Sequence, residues 1–126
     1  MNDSAFSALA GHQFVNLTTF RRDGRAVVTP VWFADVGGRL VVMTGADAGK
    51  VKRIRANGQV LLAPSDRAGK PLGAEFAARA RVLGPTEHTA ADAALTRKYG
   101  MMKRMFDLMG RLRGGNSRAY LAIEPA

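Results

Sequence analysis

Short β-prone runs joined by tight turns dominate the first half of the sequence. Residues 14–20 (FVNLTTF) and 26–36 (AVVTPVWFADV) are rich in aromatic and β-branched residues, which favour strands. The Asp-Gly pair within residues 21–25 (RRDGR), which separates these two runs, is typical of a β-hairpin turn. A second tight turn follows at Gly37 and Gly38. Runs this short, joined this closely, predict a protein built mainly from β-strands.

The rest of the chain is predicted to supply four more strands and two helices. The strands are at residues 39–44, 59–64, 74–83 and 120–123, and the helices are at residues 49–57 and 89–112. The shorter helix would bury Val51 and Ile54, which lie on one face. The longer helix has an apolar face that suits a core or an interface, formed by Leu95, Met102, Met105, Phe106, Met109 and Leu112. These elements predict an all-β fold with two helices, a six-stranded small β-barrel.

The chain length of 126 residues suits one domain, so residues 1–126 are predicted to form a single domain. A chain this short buries its surface inefficiently, and the apolar face of the longer helix adds to the expectation of a homodimer. No run approaches the roughly 20 apolar residues of a membrane-spanning helix, and the N-terminus lacks the pattern of a signal peptide. The sequence has no cysteine, which excludes disulfides and thiolate metal sites. A cytoplasmic protein without a transmembrane segment is therefore expected.

The charge of the chain predicts an anionic partner. Lys and Arg together number 19 and Asp and Glu number 10, which gives a net charge of +9. Nucleic acid, a phosphorylated cofactor and anionic lipid would each be attracted to such a protein. Composition does not choose among these three classes of partner.

The basic segment GKVKRIRANG follows the third predicted strand. Lys50 stands at the predicted start of the shorter helix, where unpaired amides and the positive end of the helix dipole favour a phosphate. Thr44, at the end of the preceding strand, can add a hydroxyl hydrogen bond. Lys52 and Arg55 lie near each other around the helix axis whereas Arg53 lies elsewhere, so the charges ring the helix. The alternative interpretation is a solvated basic helix face.

The segment TPVWF, which starts at Thr29, is the second candidate for binding. Pro30 has no N–H to donate to a neighbouring strand, so it is predicted at a sheet edge or a bulge. The Thr-Pro pair would then expose backbone groups to a flat polar ligand. Trp32 has the alternative of being simply a core residue.

Several enzyme chemistries have no support in the sequence. His12 and His88 are the only two histidines and are far apart, and no metal-binding spacing is present. There is no nucleophile elbow or phosphate-binding glycine loop of the known patterns, and no pair of carboxylates suits acid–base catalysis. We therefore predict no catalytic side chain and no metal site. If the protein is an enzyme, a cofactor supplies the reactive atom.

The order and spacing of three segments resemble those of the pyridoxamine-phosphate-oxidase-like flavin and deazaflavin reductases. The segments are VTPVWF at residues 28–33, LVVMTG at residues 40–45 and GKVKRIRANGQVLLAPSD at residues 49–66. Two later segments, GKPLG at residues 69–73 and RKYG at residues 97–100, resemble the F420-dependent branch of this family in actinobacteria. The resemblance implies a split β-barrel that binds flavin or deazaflavin at the interface of a homodimer.

The resemblance also implies roles for particular residues. Thr44 and Lys50 would reach the cofactor phosphate, and Lys52 and Arg55 would meet further anionic groups such as the acidic oligoglutamate tail of coenzyme F420. Ala48 stands where related sequences often have a hydroxyl residue, which leaves FMN as the alternative cofactor. The isoalloxazine-like ring would lie along Thr29, Pro30, Val31 and Trp32.

The function expected from this resemblance is an oxidoreductase that transfers hydride between coenzyme F420 and an unknown small organic substrate. An FMN-dependent oxidoreductase and a non-catalytic F420 or flavin carrier on the same fold are the alternatives. A nucleic-acid-binding barrel would need aromatic residues beside basic ones. Aromatic residues make up only 7% of the chain and seldom lie near the basic runs, so no specific nucleic-acid binding is expected.

Overall fold

The structure is a computed structural model that describes residues 6–46, 48–112 and 118–126, without the side chains of residues 110–112. Its strands are β1 (Phe14–Phe20), β2 (Ala26–Trp32), β3 (Ala34–Val36), β4 (Arg39–Gly45), β5 (Gln59–Ser65), β6 (Phe76–Val82) and β7 (Arg118–Pro125). Its α-helices are α1 (Gly49–Ala56), α2 (His88–Tyr99) and α3 (Met101–Leu112). Short 3-10 helices lie at Ser7–Leu9 and Pro85–Glu87. None of the described helices is long and apolar enough to cross a membrane.

The seven strands form one antiparallel sheet in the order β2-β1-β5-β6-β7-β4-β3. Strands β2 and β3 lie at opposite edges of this sheet although only Phe33 separates them in the chain. The sheet must therefore curl until its two edges meet at Phe33. The result is the split β-barrel that was predicted, with seven strands instead of six.

The additional strand arises because the predicted strand at residues 26–36 divides at Phe33. The amide of Phe33 donates to the hydroxyl of Tyr99 at 2.9 Å, and its carbonyl accepts from Lys98 Nζ at 2.8 Å. Both partners are side chains of α2, so the backbone of Phe33 bonds to a helix where a continuous strand would bond to another strand. The two turns that bound this segment, at Gly24 and at Gly37 and Gly38, are confirmed.

The single helix predicted at residues 89–112 is also wrong, because the structure has two helices there. Gly100 separates α2 from α3 with φ 54° and ψ −122°, a conformation that side chains with a Cβ rarely adopt. Apolar periodicity continues across Gly100, which explains why the sequence pattern suggested one helix. The described part of the chain thus has three α-helices where two were predicted.

Two apolar clusters bury the inner and outer faces of the curled sheet. The barrel interior is filled from the strands and is closed by α1, which buries Val51 and Ile54 as predicted. Its largest fully buried members include Leu17, Leu40, Leu62, Leu121 and Ile123. The second cluster packs α2 on the outer face and includes Val41, Ala91, Leu95, Tyr99, Tyr120 and Ala122.

Helix α3 turns a charged side toward the rest of the protein. Lys103 is only 1% exposed, and its ammonium lies 2.8 Å from Asp92 Oδ1 and 2.9 Å from Asp107 Oδ2. Arg118 of β7 lies 2.8 Å from Asp107 Oδ1, and the hydroxyl of Tyr120 donates to Asp92 Oδ1 at 2.8 Å. These five residues, here called the Lys103 cluster, join α2, α3 and β7 through charges and hydrogen bonds.

The apolar side of α3 consequently faces outward. Met102, Met105, Phe106 and Met109 are between 50% and 62% exposed, so the interpretation of this face as core is wrong for α3. Leu95 of the predicted apolar face is buried, but it belongs to α2. The side chain of Leu112 lies outside the described residues. The other interpretation, an interface, stays a prediction.

Candidate functional site

Thr44 and Lys50 meet at the junction between β4 and α1. Lys50 Nζ donates to Thr44 Oγ1 at 3.1 Å, which brings together the two residues that the sequence predicted to share a phosphate. Ala48 is the N-cap of α1, and its own side chain makes no capping hydrogen bond. Among the described residues, the start of α1 therefore carries a lysine but no side-chain oxygen of the kind that normally satisfies the first amides of a helix.

Arg53 joins this site although the sequence analysis placed it elsewhere on α1. Its Nε donates to Thr19 Oγ1 of β1 at 2.6 Å. Its guanidinium lies over the start of the helix, since a Cβ added to Gly49 would be 2.7 Å from Arg53 Nη1. The spacing could have revealed this, because residues three apart on a helix share a face and Arg53 is three after Lys50.

The two cations of this site, Lys50 and Arg53, have no carboxylate partner among the described residues. Neither Lys50 nor Arg53 forms an ion pair within the part of the chain that the structure describes. Burial, and then the positive charge of Arg53, lower the pKa of Lys50 below its usual value of 10.5. An anion placed between the two side chains would relieve this repulsion, so the site fits a phosphate group.

Lys52 and Arg55 do not take part in this arrangement. Both are exposed on the solvent side of α1, and the structure records no hydrogen bond or ion pair for either among the described residues. Their positions suit a contact with a mobile anionic group in solvent more than with a buried phosphate.

The segment from Thr29 to Trp32 lies in β2, at one edge of the sheet. Pro30 pairs with Asn16 of β1, and β2 has no second neighbouring strand among the described residues, so the predicted edge position of Pro30 is confirmed. Side chains alternate along a strand, so Thr29 and Val31 share one face of β2 whereas Pro30 and Trp32 share the other. The backbone edge of β2 that has no strand partner among the described residues therefore runs between these two faces.

Trp32 is half-buried and is fixed by aromatic contacts. Its ring stacks on Tyr99 with centroids 4.4 Å apart and an interplanar angle of 11°, and Phe106 of α3 lies 5.5 Å away. The hydroxyl of Tyr99 donates to the carbonyl of Gln13 at 2.6 Å and accepts from the amide of Phe33. Burial raises the pKa of Tyr99 to about 12, which keeps this hydroxyl protonated. Tyr99 thus holds Trp32 in place, a role that the sequence did not reveal.

Lys98, next to Tyr99, also binds Phe33 between β2 and β3. Its ammonium lies 3.4 Å from the centroid of the Phe33 ring and donates to the Phe33 carbonyl. Burial lowers the pKa of Lys98 to about 8. The segment RKYG therefore contributes Lys98 and Tyr99, the two side chains that bind Phe33 between β2 and β3.

A cleft of about 620 Å³ opens beside Trp32, on the outer face of the sheet. Its lining includes Phe14, Trp32, Ser65, Leu72, Met102 and Phe106. His12 also lines this cleft, whereas His88 packs against the ring of Tyr120 with centroids 4.7 Å apart. No group of three or more His, Cys, Asp or Glu that could hold a metal ion is found among the residues that the structure describes.

The curled sheet and its strand-to-helix site place the protein in the class of split β-barrels. The chain belongs to the pyridoxamine 5'-phosphate oxidase family, whose sequence model matches residues 1–126. No curated protein sequence matches the chain in a direct comparison.

Several solved structures share this fold at low sequence identity. An F420 reductase is 21% identical, with 100% of this chain and 96% of that one covered and a TM-score of 0.62. HutZ, the heme storage protein of Vibrio cholerae, is 14% identical over 92% of this chain and 83% of its own, with a TM-score of 0.65. An FAD-binding protein of Mesorhizobium loti is 15% identical over 94% and 82% of the two chains, with a TM-score of 0.63. These likenesses concern the fold.

Proposed function

We propose that the protein is an oxidoreductase that binds coenzyme F420 and transfers hydride between this deazaflavin and an organic substrate. The observation that carries the proposal is the pair of cations at the start of α1, Lys50 and Arg53, which lack a carboxylate partner among the described residues. The family of the chain, and the shared fold with a structure described as an F420 reductase, support a cofactor of this class.

The hydrogen-bond donors of this site suit a phosphate. The Thr44 hydroxyl accepts from Lys50 and the Thr19 hydroxyl accepts from Arg53, so each hydroxyl keeps its own proton for donation to an anion. The ammonium of Lys50 and the guanidinium of Arg53 offer further donors. The amides at the start of α1, where the N-cap Ala48 offers no side-chain hydrogen bond, add a positive dipole end. Together these groups would hold the phosphate at a defined position.

The charges beyond this site favour the deazaflavin over FMN. Lys52 and Arg55 continue the positive charge of α1 into solvent, where an acidic oligoglutamate tail would extend. The net charge of +9 acts in the same direction by attracting a polyanionic cofactor. Exposed charge pairs contribute only about 0–1 kcal/mol each, so these residues would adjust the affinity without defining the site.

The free edge of β2 is proposed to receive the cofactor ring. Alternate residues of the segment Thr29–Trp32 turn their backbone groups to that side, where they have no strand partner among the described residues, and the side chain of Trp32 borders the edge. The cofactor would supply the hydride chemistry, and the protein would orient the ring and limit the access of water. We assign no side chain as a proton donor.

Titration of the purified protein with F420 and with FMN tests the proposal, with the fluorescence of Trp32, the single tryptophan, as the signal. We expect F420 to bind more tightly, and its affinity to fall with added salt because of its charged tail. Tighter binding of FMN would support the FMN-dependent alternative. Binding of F420 without oxidation of the reduced cofactor by any electron acceptor would support a carrier.

The exposed apolar face of α3 leads us to propose a homodimer. Met105 and Met109 are 62% and 50% exposed on a helix whose charged side is already buried. We expect light scattering to give a mass of about twice 13.5 kDa at micromolar concentration. The double substitution Met105→Ser and Met109→Ser should weaken association at least about tenfold, because it removes apolar area from the interface.

Arg104→Ser is the matched control for this experiment, because Arg104 is also exposed on α3 but is not apolar. It should leave the dimer intact. A mass near 13.5 kDa for the unaltered protein throughout the micromolar range would contradict the proposed dimer.

A further inference from the structure

The side-chain nitrogen of Lys98 on α2 is surrounded by uncharged groups. It donates to the Phe33 carbonyl at 2.8 Å and lies 3.4 Å from the centroid of the Phe33 ring. The centroid of the Tyr99 ring is 5.2 Å away. No carboxylate lies within ion-pair distance of Lys98 in the described part of the chain. A carbonyl and two ring faces attract an ammonium, but they do not neutralise its charge as a carboxylate would.

These surroundings increase the share of Lys98 that is present as the free amine. Burial disfavours the ammonium and outweighs the charge of Asp35, which favours it. Tyr99 adds no negative charge, because its pKa of about 12 keeps its hydroxyl protonated. The pKa of Lys98 is consequently about 8, so about a quarter of this side chain is neutral at pH 7.5. A lysine with the usual pKa of 10.5 is only about 0.1% neutral at that pH.

The amine of Lys98 is also within reach of solvent. Lys98 is an exposed residue, although the adjacent Tyr99 is buried. A neutral amine has two N–H groups and one lone pair, so it can keep one hydrogen bond to Phe33 and turn the lone pair outward. Lys103 is the opposite case, because it is buried and held as an ammonium between two carboxylates. Lys98 therefore combines access with the nucleophilic form of the side chain.

The surroundings of Lys98 would accept an acylated side chain as well. Acylation converts the amine into a neutral amide, which retains one N–H for the Phe33 carbonyl. Because Lys98 forms no ion pair among the described residues, the loss of its charge leaves no carboxylate without its cation. The contact that is lost is the attraction between the ammonium and the Phe33 ring.

We propose that Lys98 is a site of acylation by small anionic acyl donors of the acyl phosphate class. The amine nitrogen attacks the carbonyl carbon of the donor and forms a C–N bond. The C–O bond to the phosphate breaks, the phosphate leaves with that electron pair, and the nitrogen releases one proton to solvent. The net charge of +9 and the exposed Arg97 beside Lys98 in the chain attract an anionic donor. The site does not depend on the proposed function, because no cofactor takes part.

Labelling with a limiting amount of acetyl phosphate, followed by mass spectrometry of the lysine-containing peptides, tests this site. Lys52 and Lys70 are the matched comparators, because both are exposed and form no ion pair among the described residues. Lys50 is not a comparator, since its pKa is also lowered. At pH 7.5 we expect Lys98 to react at least about tenfold faster than either comparator, because its larger neutral fraction outweighs the weaker nucleophilicity of a less basic amine. Its rate should level off above a pH of about 8, whereas the rates of the comparators should still rise at about pH 9.5.

Two variants connect the labelling to the surroundings of Lys98. Lys98→Arg keeps a positive charge and hydrogen-bond donors, so the protein should fold and lose the rapidly labelled site. Asp35→Asn removes the charge that favours the ammonium and keeps an oxygen to accept from the amide of Gly38. It should raise the rate at Lys98 by up to about twofold and leave the rate at Lys70 unchanged. The proposal is overturned if Lys98 reacts no faster than Lys52 and Lys70, if its rate rises with pH as theirs do, or if Asp35→Asn slows its reaction.

Discussion

Replacement of Lys50 by alanine is expected to weaken the binding of F420 about 10- to 150-fold, with the fold intact. Its ammonium is partly buried beside Thr44 and Arg53, and a hydrogen bond to a charged group is worth about 1.5–3 kcal/mol. Arg53→Ala should have an effect of similar size, because its guanidinium shares the site. The measurement is the Kd for F420 at low and high salt for each variant.

Lys52→Ala and Arg55→Ala are the matched controls, since both residues are basic and exposed on the same helix. Their effects should be smaller and should fade with salt, whereas much of the Lys50 effect should persist. Only the protonated lysine attracts phosphate, so F420 affinity should fall as the pH rises through the Lys50 pKa, which lies below 10.5. A folded Lys50→Ala protein that binds F420 as tightly as the unaltered protein would show that the phosphate lies elsewhere.

The substitution Lys103→Met is expected to cause the largest loss of stability. It removes the one ammonium that lies between Asp92 and Asp107 and leaves two carboxylates close together. Removing one partner of a buried ion pair typically lowers the free energy of unfolding by about 3–5 kcal/mol. We expect the lower end, about 3 kcal/mol, since the Asp92 side chain stays 39% exposed. Urea denaturation should show this loss directly, and Tm should fall by roughly 10 °C.

The exposed neighbour Arg104 provides the control for this prediction. Arg104→Met should change stability by no more than about 0.5 kcal/mol. Burial opposes ionisation of Asp92, but hydrogen bonds from Lys103 and Tyr120 outweigh it, so the Asp92 pKa lies below 3.8. The stability from these bonds is present above that ordinary value and is lost as the pH falls through the lowered pKa. An unchanged urea midpoint for Lys103→Met would mean that the Lys103 cluster does not hold α3 in place.

Local sequence was sufficient for the hairpins but not for the division at Phe33. The strand predicted at residues 14–20 is observed with the same bounds, because its composition and the adjacent Asp-Gly turn are local signals. The backbone partners of Phe33 are the side chains of Lys98 and Tyr99, which are more than 60 residues away in the chain. No pattern around residues 26–36 could reveal hydrogen bonds of that kind.

The candidate site could be predicted in part for a similar reason. Thr44 and Lys50 lie on either side of one turn, so their contact followed from adjacent elements. The contact of Arg53 with Thr19 depends on the packing of α1 against β1, which the sequence does not show. The orientation of α3 could not be inferred from its apolar residues either. Its burial of Lys103 depends on Asp92 of another helix.

The separation of β2 and β3 by Phe33 alone has a consequence for the order of folding. The hairpins β1–β2 and β3–β4 contain only local contacts, whereas β4 must find β7, with Leu40 opposite Ile123. Pairings between distant segments carry a large loop-closure entropy and slow the search for the native topology. The two hairpins can therefore form early. The two edges of the sheet meet at Phe33 late, after α2 has packed against the sheet and placed Lys98 and Tyr99 beside Phe33. Trp32 stacks on Tyr99 beside Phe33, so its emission during refolding should include a late change when α2 packs there, after the hairpin β1–β2 has formed.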